Sequence, residues 1–143
     1  MLNRLREKDD KIRQVLNDLR EQSEKQTPIL VEGKKDATAL CALGVEGRIV
    51  TVKTGGKSLL QVVTELEEAK VKEAILLLDF DRRGKQVTNR LRKYLEHSGV
   101  KANLEFWRAL LLLVGKDLQC VEGLVAYLEK LQTKIGISPQ PPS

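Results

Sequence analysis

The chain has 143 residues, of which 41% are hydrophobic and 31% are charged. This composition can bury the core of one domain, and it excludes an integral membrane protein because no apolar run approaches the roughly 20 residues that a spanning helix needs. The net charge of +5 favours an anionic partner such as nucleic acid. The first residues are charged and hold no apolar leader segment, so we expect a cytoplasmic protein.

The N-terminal segment predicts an amphipathic helix over residues 1–25. Apolar side chains recur every three or four residues from Leu2 to Leu19, with one polar break at Asp9. The segment 2–24 also lacks glycine and proline. The helix could lie on its own domain, which we prefer, or it could pair with a second copy of the chain in a homodimer.

The rest of the chain alternates between strand and helix patterns. Short apolar runs predict strands at residues 29–31, 48–52, 74–78 and 100–104. Amphipathic segments predict helices at residues 35–43, 58–69, 85–97, 105–114 and 121–134, although 105–114 could instead continue the fourth strand. This alternation predicts an α/β fold, with a central, mostly parallel sheet of about four strands flanked by helices. We expect one domain over 26–135 and a flexible tail over 136–143.

The cysteines and the single histidine have ordinary structural interpretations. Cys41 and Cys120 lie among apolar neighbours without the spacing of a metal site, so we expect reduced residues of the core. His97 falls at the predicted end of a helix, where a cation is favourable. The sequence therefore offers neither a histidine-based triad nor a histidine–zinc centre.

Carboxylates follow two of the predicted strands. Glu32 follows the first strand, and Asp79 and Asp81 follow the third in the segment ILLLDFDRRGK. Because the carboxyl ends of parallel strands meet at one edge of a sheet, and residues i and i+2 of an extended segment point the same way, these side chains should converge. Close carboxylates repel unless a cation compensates, and oxygen ligands suit Mg²⁺. Alternatively, Asp79 and Asp81 pair with the arginines that follow, or cap the next helix.

Basic residues surround this predicted acidic site. They lie in the segments that follow the strands and comprise Lys34, Lys35, Lys53, Lys57, Arg82, Arg83 and Lys85. Such a mixture suits a phosphodiester, because a metal can take the reacting phosphate while basic side chains hold the flanking phosphates. Each of these residues could also be an ordinary solvated surface cation.

Two segments, VEGKKD at Val31–Asp36 and DFDRRG at Asp79–Gly84, resemble the signature motifs of the Toprim family. The resemblance covers about residues 28–104, and the chain is similar in length to the small stand-alone, archaeal-type Toprim proteins. It implies a Toprim-like, Rossmann-like fold that acts on nucleic acid.

The resemblance also implies roles for individual residues. Glu32 would act as a general acid or base, or as a further metal ligand, while Asp79 and Asp81 would bind Mg²⁺ or Mn²⁺. Gly33 and Gly84 match the family's glycines, which permit tight turns beside the site.

The chain departs from the topoisomerase-like members of the family. Those members have a glutamate directly after the glycine of the second motif, where this chain has Lys85. Tyr94 and Tyr127 lie in predicted helices and suit packing better than nucleophilic attack, so strand passage is not expected. Glu122 resembles part of a Val-Glu stretch of the nucleases that mature 5S ribosomal RNA. It is either a further site candidate or an ordinary acid at a helix N-terminus.

The leading functional hypothesis is a Mg²⁺-dependent enzyme that hydrolyses or nicks nucleic-acid phosphodiesters, for example in RNA processing. The alternative is a metal-dependent module that binds RNA, DNA or a ribonucleoprotein without cleavage, and Lys85 motivates it. A phosphatase of the Asp-x-Asp-x-Thr kind ranks last because it needs threonine where the chain has Arg83. The sequence leaves RNA and DNA both open.

Overall fold

The computed structural model describes residues 2–53 and 56–136. Four parallel strands form one sheet, and they are β1 (Ile29–Val31), β2 (Ile49–Thr51), β3 (Glu73–Leu76) and β4 (Lys101–Asn103). Their spatial order is β2-β1-β3-β4, so the two strands that precede the predicted acidic residues are the central ones. The predicted four-stranded parallel sheet is confirmed.

Helices flank the sheet and make its crossovers. In the described part of the chain they are α1 (Leu2–Glu24), α2 (Lys34–Ala42), α3 (Leu59–Glu68), α4 (Arg82–His97), α5 (Glu105–Val114) and α6 (Leu124–Ile135), with a 3₁₀ turn at Val121–Gly123. Parallel neighbours need such crossovers, and α2, α3 and α4 supply them. No helix among the described residues combines the length and apolarity needed to cross a membrane.

The hydrophobic core surrounds the two central strands. All three residues of β1 are fully buried, and the buried run of β3 continues through Leu77 and Leu78 to Asp79. Strands with both faces covered explain why these runs are continuous rather than alternating. The covered strands hold the acidic residues at their ends on a rigid base.

The N-terminal helix α1 lies on its own domain. It packs against α5 and α6, and its apolar side chains Ile12, Leu16 and Leu19 are buried. The middle and end of this seam are therefore covered within the chain, whereas Leu2 at its start is 47% exposed. The polar break, Asp9, is also buried, and its Oδ2 accepts a hydrogen bond of 3.0 Å from Arg13 Nε.

The start of α4 differs from the prediction. Asp81 Oδ1 accepts a hydrogen bond of 2.7 Å from the Gly84 N–H, and this cap starts the helix at Arg82 rather than at residue 85. Arg82 and Arg83 therefore belong to the first helical turn. The helix ends at His97, as predicted.

The predicted tail falls largely outside the described residues, because residues 137–143 lie beyond the described ranges. Residues 54 and 55, which precede α3, also lie outside them.

The prediction for the cysteines was half right. Both thiols are free, but Cys41 is exposed and Cys120 is only half-buried, so neither is a core residue. On α2 the buried positions are taken by Ala39 and Leu40, which turns Cys41 toward solvent. Cys120 directly precedes the 3₁₀ turn.

Candidate metal and phosphate site

The backbone on both sides of Asp79 is held by hydrogen bonds from other parts of the chain. Trp107 Nε1 donates to the Leu78 carbonyl at 2.9 Å. The Phe80 N–H donates to the Gln119 carbonyl at 2.7 Å. These bonds fix where the backbone at Asp79 emerges from the sheet.

The two glycines predicted to permit tight turns have different roles. A Cβ at Gly84 would overlap the Asp79 carbonyl oxygen and lie 2.7 Å from its Cβ, so the close approach of α4 to this loop requires glycine. Gly33 has φ −142° and ψ −179°, and a Cβ there would meet nothing within 4 Å. Neither sterics nor backbone conformation requires glycine at 33, and the prediction was wrong there.

Glu32 is a buried carboxylate that accepts no hydrogen bond from the described residues. It follows β1 with 4% of its surface exposed. Lys53 Nζ lies 2.7 Å from Glu32 Oε2, which is an ion-pair distance. The approach lacks hydrogen-bond geometry, however, and neither Oε1 nor Oε2 accepts a hydrogen bond from the described residues. A buried carboxylate in this state is costly, since burial removes water without replacing its hydrogen bonds.

Burial and nearby negative charges change the pKa of Asp79. Its pKa is raised from 3.8 to about 6, first by burial and then by the negative charges of Glu32, Asp36 and Asp81. The charge of Lys53 opposes these effects only in part. The repulsion expected from the sequence is thus present at Asp79.

Asp36, which the sequence did not suggest as a site residue, ties two elements together. Its buried carboxylate accepts the Gly33 N–H on Oδ2 at 3.2 Å and the Glu122 N–H on Oδ1 at 2.9 Å. The first bond closes the start of α2, and the second attaches the 3₁₀ turn to it. Glu122 contributes its backbone here, while its side chain is exposed.

The tightest group of possible metal ligands differs from the predicted trio. Ligand atoms of Asp36, Asp79 and Cys120 all lie within 4.8 Å of one another. Among the described residues, Glu32 and Asp81 belong to no group this compact. Asp81 caps α4 through Oδ1, which was one of the two alternatives for the Asp-x-Asp motif.

The donor set of this site fits a hard divalent cation. The carboxylates of Asp36, Asp79 and Glu32 offer the oxygen ligands that Mg²⁺ and Mn²⁺ prefer. Burial, together with the charges of Asp36 and Asp79, raises the pKa of the Cys120 thiol. This shift disfavours the thiolate, which is the form of cysteine that binds metals, so Cys120 is a poor ligand for such an ion.

A basic cleft of about 440 Å³ lies next to Glu32, between the start of α3 and one flank of α4. Its charged lining residues, which define the basic cleft, are Glu32, Lys53, Lys57, Arg83 and Arg90. Lys57 also pairs with Glu65 at 2.7 Å. Four cations against one acid make the cleft attractive to phosphate.

The basic cleft contains only part of the predicted basic set. It brings together Lys53, Lys57 and Arg83, whereas Lys34, Lys35 and Arg82 are exposed and do not line it. Arg90 was missed, although its spacing of seven residues from Arg83 places both on one face of a helix.

The motifs that build this site also match a known domain. Residues 26–104, more than half of the chain, match the family model of the Toprim domain. The chain belongs to the Toprim family. As a Toprim protein it is associated with metal-dependent functions on nucleic acids, and the resemblance of Val31–Asp36 and Asp79–Gly84 to the family motifs is confirmed.

Relatives of this Toprim protein include small archaeal proteins of similar length. It is 34% identical over 122 residues to a UPF0292 protein of Methanocaldococcus jannaschii, which covers 85% of this chain and 92% of the relative. It is 33% identical over 129 residues to a UPF0292 protein of Methanosarcina acetivorans, with 90% and 88% covered. A solved structure of a protein from Aquifex aeolicus matches with a TM-score of 0.64 and 27% identity, over 76% of this chain and 94% of that chain.

Proposed function

We propose that this Toprim protein is a Mg²⁺-dependent enzyme that hydrolyses or nicks nucleic-acid phosphodiesters, with Mn²⁺ as an alternative ion. The observation that carries the proposal is the buried Glu32 carboxylate, whose two oxygens accept no hydrogen bond from the described residues. It adjoins Asp79, whose pKa is raised to about 6 partly by the charge of Glu32. Stability alone does not favour such crowding, and a divalent cation would relieve it.

Each acidic residue has a distinct role in this proposal. Asp79, Asp81 and Glu32 would hold the ion, and the structure adds Asp36 as a further oxygen donor. A bound Mg²⁺ supplies positive charge that polarises the scissile phosphate. Glu32 would exchange a proton with the attacking or leaving oxygen. Asp81 would also keep the start of α4 beside the site, because its Oδ1 caps that helix.

The placement of basic residues supports an anionic substrate. Two helices that start at this edge of the sheet begin with paired cations, Lys34–Lys35 on α2 and Arg82–Arg83 on α4. The partial positive charge of a helix N-terminus disfavours cations, so these pairs cost stability. Together with the basic cleft, they would hold the phosphates that flank the reacting one.

The second candidate is a module that binds nucleic acid, or a ribonucleoprotein, without cutting it. The ion pair of 2.7 Å between Lys53 Nζ and Glu32 Oε2 favours this candidate, because a lysine already offsets part of the charge that a metal would compensate. Lys85, in place of the topoisomerase-type glutamate, also favours it. Both candidates use the basic cleft and differ in whether Glu32 and Asp79 perform chemistry.

A cleavage assay separates the two candidates. End-labelled single- and double-stranded RNA and DNA are incubated with Mg²⁺ or Mn²⁺, using the Asp79→Asn, Asp81→Asn double variant as the control. We expect metal-dependent cleavage that the double variant loses while its circular dichroism spectrum stays unchanged.

The outcome also decides between cutting and binding. Equal cleavage by both proteins would show that these aspartates are not the metal ligands. Folded protein that binds with a steep salt dependence and leaves every substrate intact would establish the binding module.

A further inference from the structure

Helix α4 separates two basic grooves. One is the basic cleft, which α4 lines with Arg83 and Arg90. The other, here called the second groove, has a volume of about 410 Å³ and is lined on the α4 side by Lys85 and Arg92 and on the α5 side by Arg108. The two members of each pair on α4, Arg83 with Arg90 and Lys85 with Arg92, are seven residues apart, which is about two helical turns. The second pair is displaced from the first by two residues, which is a rotation of about 200° around the helix axis. The two pairs therefore lie on opposite flanks of the helix.

Helix α4 carries many more basic than acidic residues. In its sequence, RRGKQVTNRLRKYLEH, six residues are Arg or Lys and one is Glu. That acid, Glu96, pairs with Arg92 at 3.1 Å, so it offsets one cation of the second groove. The remaining cations project from both flanks and from the exposed face between them, which makes the helix a positively charged ridge.

The aromatic side chains are unsuited to holding single-stranded bases. Phe80, Phe106 and Trp107 are at most 8% exposed. Tyr94 and Tyr127 are half-buried and pack against the core. Proteins that grip single strands stack bases on exposed aromatic rings. The described residues, which include every Phe, Tyr and Trp of the chain, thus provide charge for a nucleic-acid backbone but no stacking platform.

We infer that the substrate is a B-form DNA duplex, with α4 lying between its two backbones; this inference rests on the proposed function. An α-helix is about 10–12 Å across, and the major groove of B-form DNA is about 12 Å wide, so a helix in that groove has a phosphate backbone on each flank. The major groove of duplex RNA is deep and narrow and does not admit a helix in this way. One backbone occupies the basic cleft beside Glu32. The other occupies the second groove, where Lys85 contacts it.

Binding measured in EDTA tests this inference separately from catalysis. The groove variant Lys85→Gln, Arg92→Gln, Arg108→Gln is compared with a control variant that removes the same charge from α1 and α6, Arg6→Gln, Lys11→Gln, Lys130→Gln. We expect the wild-type protein to bind a DNA duplex at least about tenfold more tightly than either single strand or an RNA duplex. The groove variant should weaken duplex binding at least about tenfold and lower the slope of log K against log salt by about one per lost contact.

The control variant should keep most of the wild-type affinity and slope. If the two variants weaken duplex binding equally, binding depends only on net charge and the inference is wrong. Tighter binding of RNA or of single strands than of the DNA duplex would also refute it. Duplex-selective binding that depends on the second groove, without any cleavage, would uphold this inference while rejecting the proposed enzymatic activity.

Discussion

Replacing Asp79 with asparagine should stabilise the folded protein at neutral pH when no metal is present. In the folded state the pKa of Asp79 is raised from 3.8 to about 6, chiefly by burial and then by the charge of Glu32. The folded protein therefore holds this proton more tightly than the unfolded chain does. As a result, the free energy of unfolding falls as the pH rises from about 4 to about 6, and the penalty persists above that range.

The size of the effect follows from the two pKa values. A change from 3.8 to about 6 corresponds to roughly 3 kcal/mol, at about 1.4 kcal/mol per pKa unit. Asp79 is only half-buried, so solvent screening reduces this figure, and we expect a gain of about 1–2 kcal/mol for Asp79→Asn. For a chain of 143 residues this amounts to an increase in Tm of roughly 3–6 °C.

Thermal unfolding in EDTA at pH 4.5 and pH 7.5 measures this gain. The advantage of Asp79→Asn should be large at pH 7.5 and small at pH 4.5, where the wild-type carboxyl is protonated. Asp81→Asn is the matched control, because this exposed residue caps α4 through Oδ1 and asparagine can cap equally well. A gain that is the same at both pH values, or a loss of stability at pH 7.5, would refute the electrostatic argument.

Three further substitutions test the packing around the site. Gly84→Ala should lower the free energy of unfolding, measured with urea, by about 2–3 kcal/mol because the new methyl group overlaps the Asp79 backbone. Gly33→Ala should change this free energy by less than about 1 kcal/mol, because its methyl group meets nothing within 4 Å. Trp107→Phe should cost about 1–3 kcal/mol, because the buried Leu78 carbonyl loses its hydrogen bond from Trp107 Nε1, and unfolding followed by circular dichroism would detect it. Equal effects of the two glycine substitutions, or a neutral Trp107→Phe, would contradict this account.

The strands and the positions of the acidic residues were predictable from the sequence. A run such as Ile75–Leu78 is apolar throughout because both faces of its strand are covered, and that leaves few alternatives to a central parallel strand. Once the strands are placed, topology sends Glu32 and Asp79 to the same edge of the sheet. Charge coupling between the two is then a consequence of the fold.

Contacts between distant parts of the chain could not be predicted in this way. The hydrogen bond from the Glu122 N–H to Asp36 joins residues 86 positions apart, and nothing local in the sequence marks it. The cap on α4 was one of two open alternatives for Asp81, and its Oδ1 takes this role while the charge of Asp81 still raises the pKa of Asp79. The sequence pattern is compatible with a carboxylate that binds a metal and with one that caps a helix, and only the tertiary structure shows which role is taken.

Under the proposed function, the arrangement of Lys53 predicts that binding of metal and binding of nucleic acid reinforce each other. Lys53 lines the basic cleft, and its Nζ lies 2.7 Å from Glu32 Oε2. The same ammonium group can therefore pair either with Glu32 or with a phosphate in the cleft. Once the charge of Glu32 is compensated by a cation, Lys53 can turn to the phosphate. Since coupling between two binding sites is reciprocal, the factor by which Mg²⁺ tightens DNA binding must equal the factor by which DNA tightens Mg²⁺ binding. Lys53→Met should therefore reduce this factor, measured by titrating each ligand in the presence of the other, and an unchanged factor would show that Lys53 does not link the two sites.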